Sequence, residues 1–261
     1  MQQAAAQFDF SKPEKSFEKI LRSVHNAAMS VQKEKSFEMF DRISPTYDRI
    51  NRILSMGMDM RWRKSVAIHL PKRKNMRILD IATGTGDQII ALMERSGEIA
   101  EAVGIDLAEE MLAIGKKKLQ KKSYGKQVRF QKASGMELPF PDNSFHFVSL
   151  SFGIRNMSDP KRCMREISRV LKPDGRAAIL EFSLPKNQLI KTGHLFYLRH
   201  VLPKIGSLLS KDQEAYRYLN QTIESFPYGS VFCALMRDAG FSKAAVYPQM
   251  MGAVSLYTGE L

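Results

Sequence analysis

Cysteine is scarce in this chain. Only Cys163 and Cys233 occur among 261 residues, far apart, which excludes a disulfide scaffold and a structural zinc cluster and fits a reducing compartment. Long apolar runs are also missing. The most apolar stretch, from Gly193 to Leu209, is broken by Arg199, His200, Pro203 and Lys204, whereas a spanning helix needs about 20 mostly apolar residues. The N-terminal MQQAAAQFDFSKPEKSFEK turns charged too early for a secretion signal, so the expected location is the cytoplasm. Acidic residues are in short supply, 27 against 40 Lys and Arg, giving a net charge of +13. Eight of the cations fall between Lys116 and Lys132 with no acid among them. Such an excess suits a polyanion, an anionic bilayer or a phosphorylated ligand; a solvated helix face accounts for it equally.

What is present is a globular composition, 44% hydrophobic and 26% charged, in a length that suits one large domain or one domain with an appendage. After a loose tail of about a dozen residues, apolar positions from Lys15 to Leu70 recur at helical spacing, as in Phe37, Phe40 and Ile43 and again in Ile50, Ile53 and Leu54. Ser44-Pro45 predicts the start of a new helix, as an N-cap and first helical residue. Trp62, Val66, Ile68 and Leu70 predict another, ended by Pro71. Residues 1–74 thus read as a tail and helical arm, and 75–261 as the main domain.

From Met76 strands and helices alternate. Strands are expected at Met76–Ala82, Glu101–Asp106, Gln127–Gln131, Phe145–Ser151 and Arg176–Phe182, with a helix at Pro160–Leu171 and a turn at Lys172–Gly175. A mainly helical insertion, residues 184–226, interrupts the pattern. A helix through Val231–Ala239 and strands near Ala244–Tyr247 and Val254–Thr258 complete it. The pattern is that of an α/β, doubly wound, mostly parallel seven-stranded sheet. Such sheets bind ligands outside the carboxyl ends of their strands.

Three segments reach those ends. In LDIATGTGD, Gly84 and Gly86 stand where a strand becomes a helix, and glycine there admits close approach of a ligand. The dinucleotide fingerprint fails, since its sixth position would be Ile89, and no P-loop pattern occurs. Asp106, at the tip of the second strand, is placed to accept ribose hydroxyls, or else to cap the next helix. Ser134-Gly135 ends the third strand, and Ser151, Phe152, Gly153 and Arg155 stand at the exit of the fourth. His69, His146, His194 and His200 show no metal or acid–base spacing, and no metal is expected.

Taken together these segments resemble class I S-adenosylmethionine-dependent methyltransferases. More closely, the chain is similar to the family that C-methylates the quinol ring in menaquinone and ubiquinone biosynthesis. The likeness runs from about Phe40 to Tyr257 and rests on FDRISPTYDRIN, Trp62, LDIATGTGD, LPFPDNSF, SFGIRN, RVLKPDG, LEFS and LPKIGSLLSKDQEAYRYL. It implies S-adenosylmethionine as cofactor, bound by the Gly84-Thr85-Gly86 turn, by Asp106 at the ribose, by Ser134 and Gly135 beside the adenine, and by Ser151. The family's pattern has Asn or Asp followed by Ala where this chain has Ser134-Gly135, so a side chain that would read the adenine amino group is absent here. The resemblance further implies Arg155 as stabiliser of a developing phenolate, Asn156 at the ring oxygen and Tyr47 over the sulfonium; none of these is an obvious general base. The implied substrate is a polyprenylated quinol, met at the membrane. SFGIRN suits both naphthoquinol and benzoquinol, and NRILSMGMDMRWRK points to demethylmenaquinol.

The insertion, with Leu195, Phe196, Leu198, Val201, Leu202, Ile205, Leu208 and Leu209 among His194, Arg199 and Lys204, has the composition of an interfacial or tail-binding helix, or of a core helix. Peripheral contact with an anionic inner-membrane surface is expected. A nucleic-acid methyltransferase is the competing reading, carried by the basic run; the Asn/Asp-Pro-Pro-aromatic motif of base methylation is missing, and no nucleic acid is expected as partner.

Overall fold

The computed structural model describes residues 32–33, 35–204 and 212–261. The expectations for the N-terminal tail, for the helix starting near Lys15 and for Ile205, Leu208 and Leu209 lie outside these residues. Among the described residues the helices α1 (Ser36–Leu54) and α2 (Met58–Ala67) precede the sheet. Ser44-Pro45 does not start a helix, contrary to expectation: Pro45 lies inside α1. Proline removes one helical N–H, but α1 is held on both sides of it by burial, at Ser44 and at Ile50, and the Thr46 hydroxyl donates to the Ile43 carbonyl at 3.3 Å.

The sheet comprises β1 (Met76–Ile81), β2 (Ile99–Asp106), β3 (Val128–Lys132), β4 (Phe145–Ser151), β5 (Leu171–Phe182), β6 (Lys243–Gln249) and β7 (Val254–Glu260), in the order β3-β2-β1-β4-β5-β7-β6. All neighbours are parallel except β7, which runs antiparallel to both β5 and β6. The helices between strands are α3 (Asp87–Arg95), α4 (Glu109–Leu119), α5 (Pro160–Val170) and α8 (Ser230–Asp238); the insertion supplies α6 (Gln188–Phe196) and α7 (Gln213–Ser225). The turn expected at Lys172–Gly175 is a bulge within β5. Phe145 pairs with Leu171 and Phe147 with Arg176, so the intervening residues are looped out of the ladder.

Strand periodicity divides the core. Met76 and Ile78 of β1 enter the cluster beneath α2 and α3, with Trp62, Val66 and Ile89; Leu79 and Ile81 enter the opposite cluster with Ile167, Phe232 and Met236. A third, smaller cluster joins Ile50 of α1 to Leu184, Leu198, Leu202, Tyr216 and Ile223 of the insertion. Among the described residues no helix is long and apolar enough to cross a membrane.

Candidate active site

Two cavities open at the carboxyl ends of β1, β2 and β4. The smaller, of about 160 Å³, is lined by Gly84, Thr85, Asp106, Gly135, Ser151 and Asn156, among others. The larger, of about 380 Å³, is apolar and is walled by α1, α2, the insertion and the tips of β4 and β5, with Arg155 on its wall. Tyr47, Arg63, Phe40 and Phe152 line both.

The backbone is strained where the cavities meet the sheet. Ala82 and Phe152, at the exits of the adjacent strands β1 and β4, both take left-handed conformations, with φ of 51° and 60°. Left-handed non-glycine residues are uncommon and gather at ligand sites. The Phe152 ring is fixed by Trp62 and Phe182, at centroid distances of 6.0 and 4.7 Å. A Cβ at Gly153 would come within 2.5 Å of the Ala82 side chain, so this pair of tips leaves no room for any other residue there.

Asp106 accepts the Gly84 N–H at 2.8 Å and the Ala108 N–H at 2.9 Å. It therefore ties the glycine turn to β2 and closes a turn ahead of α4, whose N-cap is Ala108 with no side-chain cap bond, so the helix-cap role expected of Asp106 is not seen. Burial raises its pKa, and the same backbone donors work against that rise. A carboxylate has about four acceptor sites, and two remain for a ligand on the cavity wall. Behind it, Asp80 is wholly buried, accepting hydroxyls from Thr83 and Ser149 at 2.6 Å each; burial pushes its pKa up to about 6.

Thr85 is held from the arm. Its hydroxyl donates to Asp48 of α1 at 2.6 Å and accepts from Lys118 at 3.0 Å, while Arg52 of α1 reaches Asp87 at 2.8 Å. This network docks α1 onto the glycine turn. Half of the basic run is spent in such pairs: Lys118 with Asp48 and Asp87, Lys122 with Glu94, Arg129 with Glu101 and Lys132 with Glu109. Lys116, Lys117, Lys121 and Lys126 are exposed.

Other expected residues have less to offer a ligand. Ser134 does not line the cavity; its hydroxyl accepts from the Met136 N–H at 3.2 Å and closes its own turn. Gly86 caps α3 with φ 81°, where a Cβ would strike Phe130 at 2.8 Å, so its need for glycine is a packing need. Gly135 borders the cavity, but a Cβ there would meet Ile81 at 2.7 Å. The Ser151 hydroxyl donates to Gln88 at 2.8 Å.

Arg155 is buried and paired. It donates to Glu181 at 2.8 Å and to the Phe152 carbonyl at 2.6 Å, with its cation 5.3 Å from the Phe182 ring centre. Glu181 is fully buried and also accepts the Phe182 N–H. Asn156 lines the smaller cavity, and its buried side-chain oxygen has no hydrogen-bond partner. Tyr47 stands edge-on to Phe40 at 6.1 Å; burial raises its pKa, and the Arg63 cation is the largest opposing influence. Sequence reasoning missed Glu181, Gln88 and Arg63. Glu181 and Arg63 lie in LEFS and NRILSMGMDMRWRK, segments read for family likeness, and only packing sets Glu181 against Arg155, Gln88 against Ser151 and Arg63 on the cavity walls.

The strand order, the reversed last strand and the paired cavities over the strand tips define a class I methyltransferase fold. A solved SAM-dependent methyltransferase from Thermotoga maritima superposes with a TM-score of 0.60 at 20% identity, over 85% of this chain and 98% of its own. The chain belongs to the ubiE/COQ5 methyltransferase family, whose sequence model matches residues 28–260. It is similar to the ubiquinone/menaquinone biosynthesis C-methyltransferase UbiE of Geotalea daltonii, with 42% identity over 87% of this chain and 96% of that protein. It is also similar to the demethylmenaquinone methyltransferase of Thermus thermophilus, with 43% identity over 78% of this chain and 91% of that protein.

Proposed function

We propose that the protein transfers a methyl group from S-adenosylmethionine to a ring carbon of a polyprenylated quinol, with demethylmenaquinol as the substrate in this chain. The observation that carries this reading is the pair of neighbouring cavities that share Phe40, Tyr47, Arg63 and Phe152, one with Asp106 at its wall, one apolar and large enough for a ring and part of a chain. The residues of the smaller cavity fit the cofactor: a carboxylate with spare acceptors, a glycine turn free of side chains at Gly84, and an unpartnered Asn156 oxygen. When bound, S-adenosylmethionine supplies an electrophilic methyl on a sulfonium sulfur. This chain's residues hold that methyl over the ring and keep water out, and alignment of this kind is worth roughly 7–11 kcal/mol. Arg155 stabilises negative charge on the ring oxygen as the carbon takes the methyl, the sulfur keeps the C–S electron pair, and the ring carbon then gives up its proton as aromaticity returns. Tyr47 closes the site from the arm. Mass analysis of quinones from a methylation-deficient bacterium carrying this gene tests the assignment. Accumulation of unmethylated naphthoquinone despite a folded protein would refute it.

The role of the insertion differs from that of an exposed interfacial helix. Leu198 and Leu202 are buried against α1 and α7 and line the larger cavity, whereas Leu189 and Phe196 of the same insertion stay exposed. In this reading they form the wall of the tail groove. Leu202→Trp, which fills that groove, should raise KM for a long-tailed quinol by about tenfold, as expected from losing burial of two methylenes at about 0.8 kcal/mol each. A short-tailed analogue should be unaffected; equal losses on both would assign Leu202 to the fold alone.

The membrane contact belongs instead to the rim. Met56, Leu189 and Met251 are 79%, 84% and 72% exposed, and Met56, Met251 and the Leu189 neighbour Ile190 line the cavity. The two methionines are held in left-handed turns, with φ of 52° and 55°. Changing all three to Asp should abolish co-sedimentation with anionic vesicles while leaving the thermal midpoint unchanged. Retained sedimentation would remove this face from the proposal.

A further inference from the structure

Arg63, in α2, is 8% exposed and lines both cavities. Among the described residues its guanidinium makes no ion pair and donates no side-chain hydrogen bond, and its Nε is buried without a partner. Its carbon lies 5.4 Å from the centre of the Phe152 ring, which orients it without neutralising it. Arg155 is matched by Glu181, Arg52 by Asp59 and Asp87, and Lys118 by Asp48 and Asp87, whereas Lys33, which lines only the smaller cavity, has no ion pair among the described residues. A buried, unmatched guanidinium is costly unless an anion joins it.

The protein does not supply that anion. Asp80 is engaged with Thr83 and Ser149, and Asp87 with Lys118 and Arg52, although both feel the Arg63 charge. Asp106 marks the ribose end of the smaller cavity in the functional reading above. Gly84, Thr85 and Asp87 line the same cavity, and Arg63 lines both it and its larger neighbour, at the junction of the two walls. A nucleoside anchored at Asp106 and carrying an amino-acid chain past the glycine turn places its carboxylate at that junction. A quinol, neutral in its ground state, would leave Arg63 unmatched for most of the cycle, whereas a permanent carboxylate matches it on binding.

We infer that Arg63 binds the carboxylate of the cofactor's methionine tail, an inference that rests on S-adenosylmethionine being the cofactor. It makes Arg63 a binding residue, distinct in role from the already neutralised Arg155.

The test compares two nucleosides by titration calorimetry: S-adenosylhomocysteine, which has the carboxylate, and 5′-methylthioadenosine, which has none. Arg63→Met keeps the length and the contact with Phe152. It should weaken S-adenosylhomocysteine binding by about 10–100-fold, the loss of one or two charge-assisted hydrogen bonds. Methylthioadenosine should bind the variant as it binds the parent. Arg63→Lys should recover most of the lost affinity, because it restores the charge. The ratio of the two affinities within one sample is insensitive to the folded fraction, so a partly unfolded variant still decides the matter. An unchanged ratio in Arg63→Met overturns the inference. So does a fall in kcat with S-adenosylhomocysteine binding intact, which would place Arg63 at the substrate oxygen. Failure of the parent protein to bind either nucleoside would instead overturn the cofactor reading.

Discussion

Arg155→Ala is expected to lower kcat by about 10²–10³ while leaving affinity for S-adenosylhomocysteine within about threefold of the parent. A group that stabilises charge only as it develops acts on the transition state, and removing one such donor costs roughly that factor. The structure adds a condition. Glu181 is fully buried and its ion-pair partner is Arg155, with Lys33 acting on it at longer range. Removing one member of a buried pair strands the other at a cost of about 3–5 kcal/mol. The measurement should therefore include Arg155→Met combined with Glu181→Gln, which keeps the volume and removes both charges. If Arg155 acts on the ring oxygen, the double variant folds normally, binds the cofactor product and stays slow. If turnover returns in the double variant, Arg155 was needed only to match Glu181.

Asp106→Ala is expected to weaken S-adenosylhomocysteine binding by about 100-fold or more, from two charge-assisted hydrogen bonds at roughly 1.5–3 kcal/mol each. The bonds of Asp106 to the Gly84 and Ala108 N–H groups mean that alanine also loosens the turn. Asp106→Asn separates the two effects. Its amide oxygen can keep one backbone donor, but it lacks the negative charge and offers fewer acceptors to a diol. Calorimetry on both variants, with folding checked by thermal melting, is sufficient. Binding of the Ala variant within threefold of the parent would eliminate the ribose role, whereas a loss in Ala fully repaired by Asn would assign Asp106 to the turn.

Much of the sheet was legible from sequence because strands buried on both faces, such as MRILDIA and FHFVSLS, are short apolar runs with sharp ends. The expected segments for β1, β4 and the last two strands fall on observed strands. The errors fall where local chemistry met a tertiary constraint. Pro45 carried a helix-start signal, but packing of α1 on the insertion and on the glycine turn carried the helix through it. The turn expected at Lys172–Gly175 is there, looped out between the Phe145–Leu171 and Phe147–Arg176 pairs, although the strand ladder begins before it, at Leu171.

The site divides in the same way. Gly84, Asp106 and Arg155 could be placed at the strand tips from sequence because those tips, where such sheets bind ligands, can be counted along the chain. The sequence by itself determined the alternating fold, the positions of the strand tips and the family to which the chain belongs. The pairing of charges was decided only in three dimensions. Arg155 and Glu181 are 26 positions apart and meet because β4 and β5 are neighbours. Thr85 finds Asp48 because the arm folds back over the turn. Arg63 is left without a carboxylate because every acid near it is already claimed by another donor. Burial sets the cost of each charge, and burial depends on which elements come together, so which cations are spent and which remain for a ligand is a property of the tertiary structure.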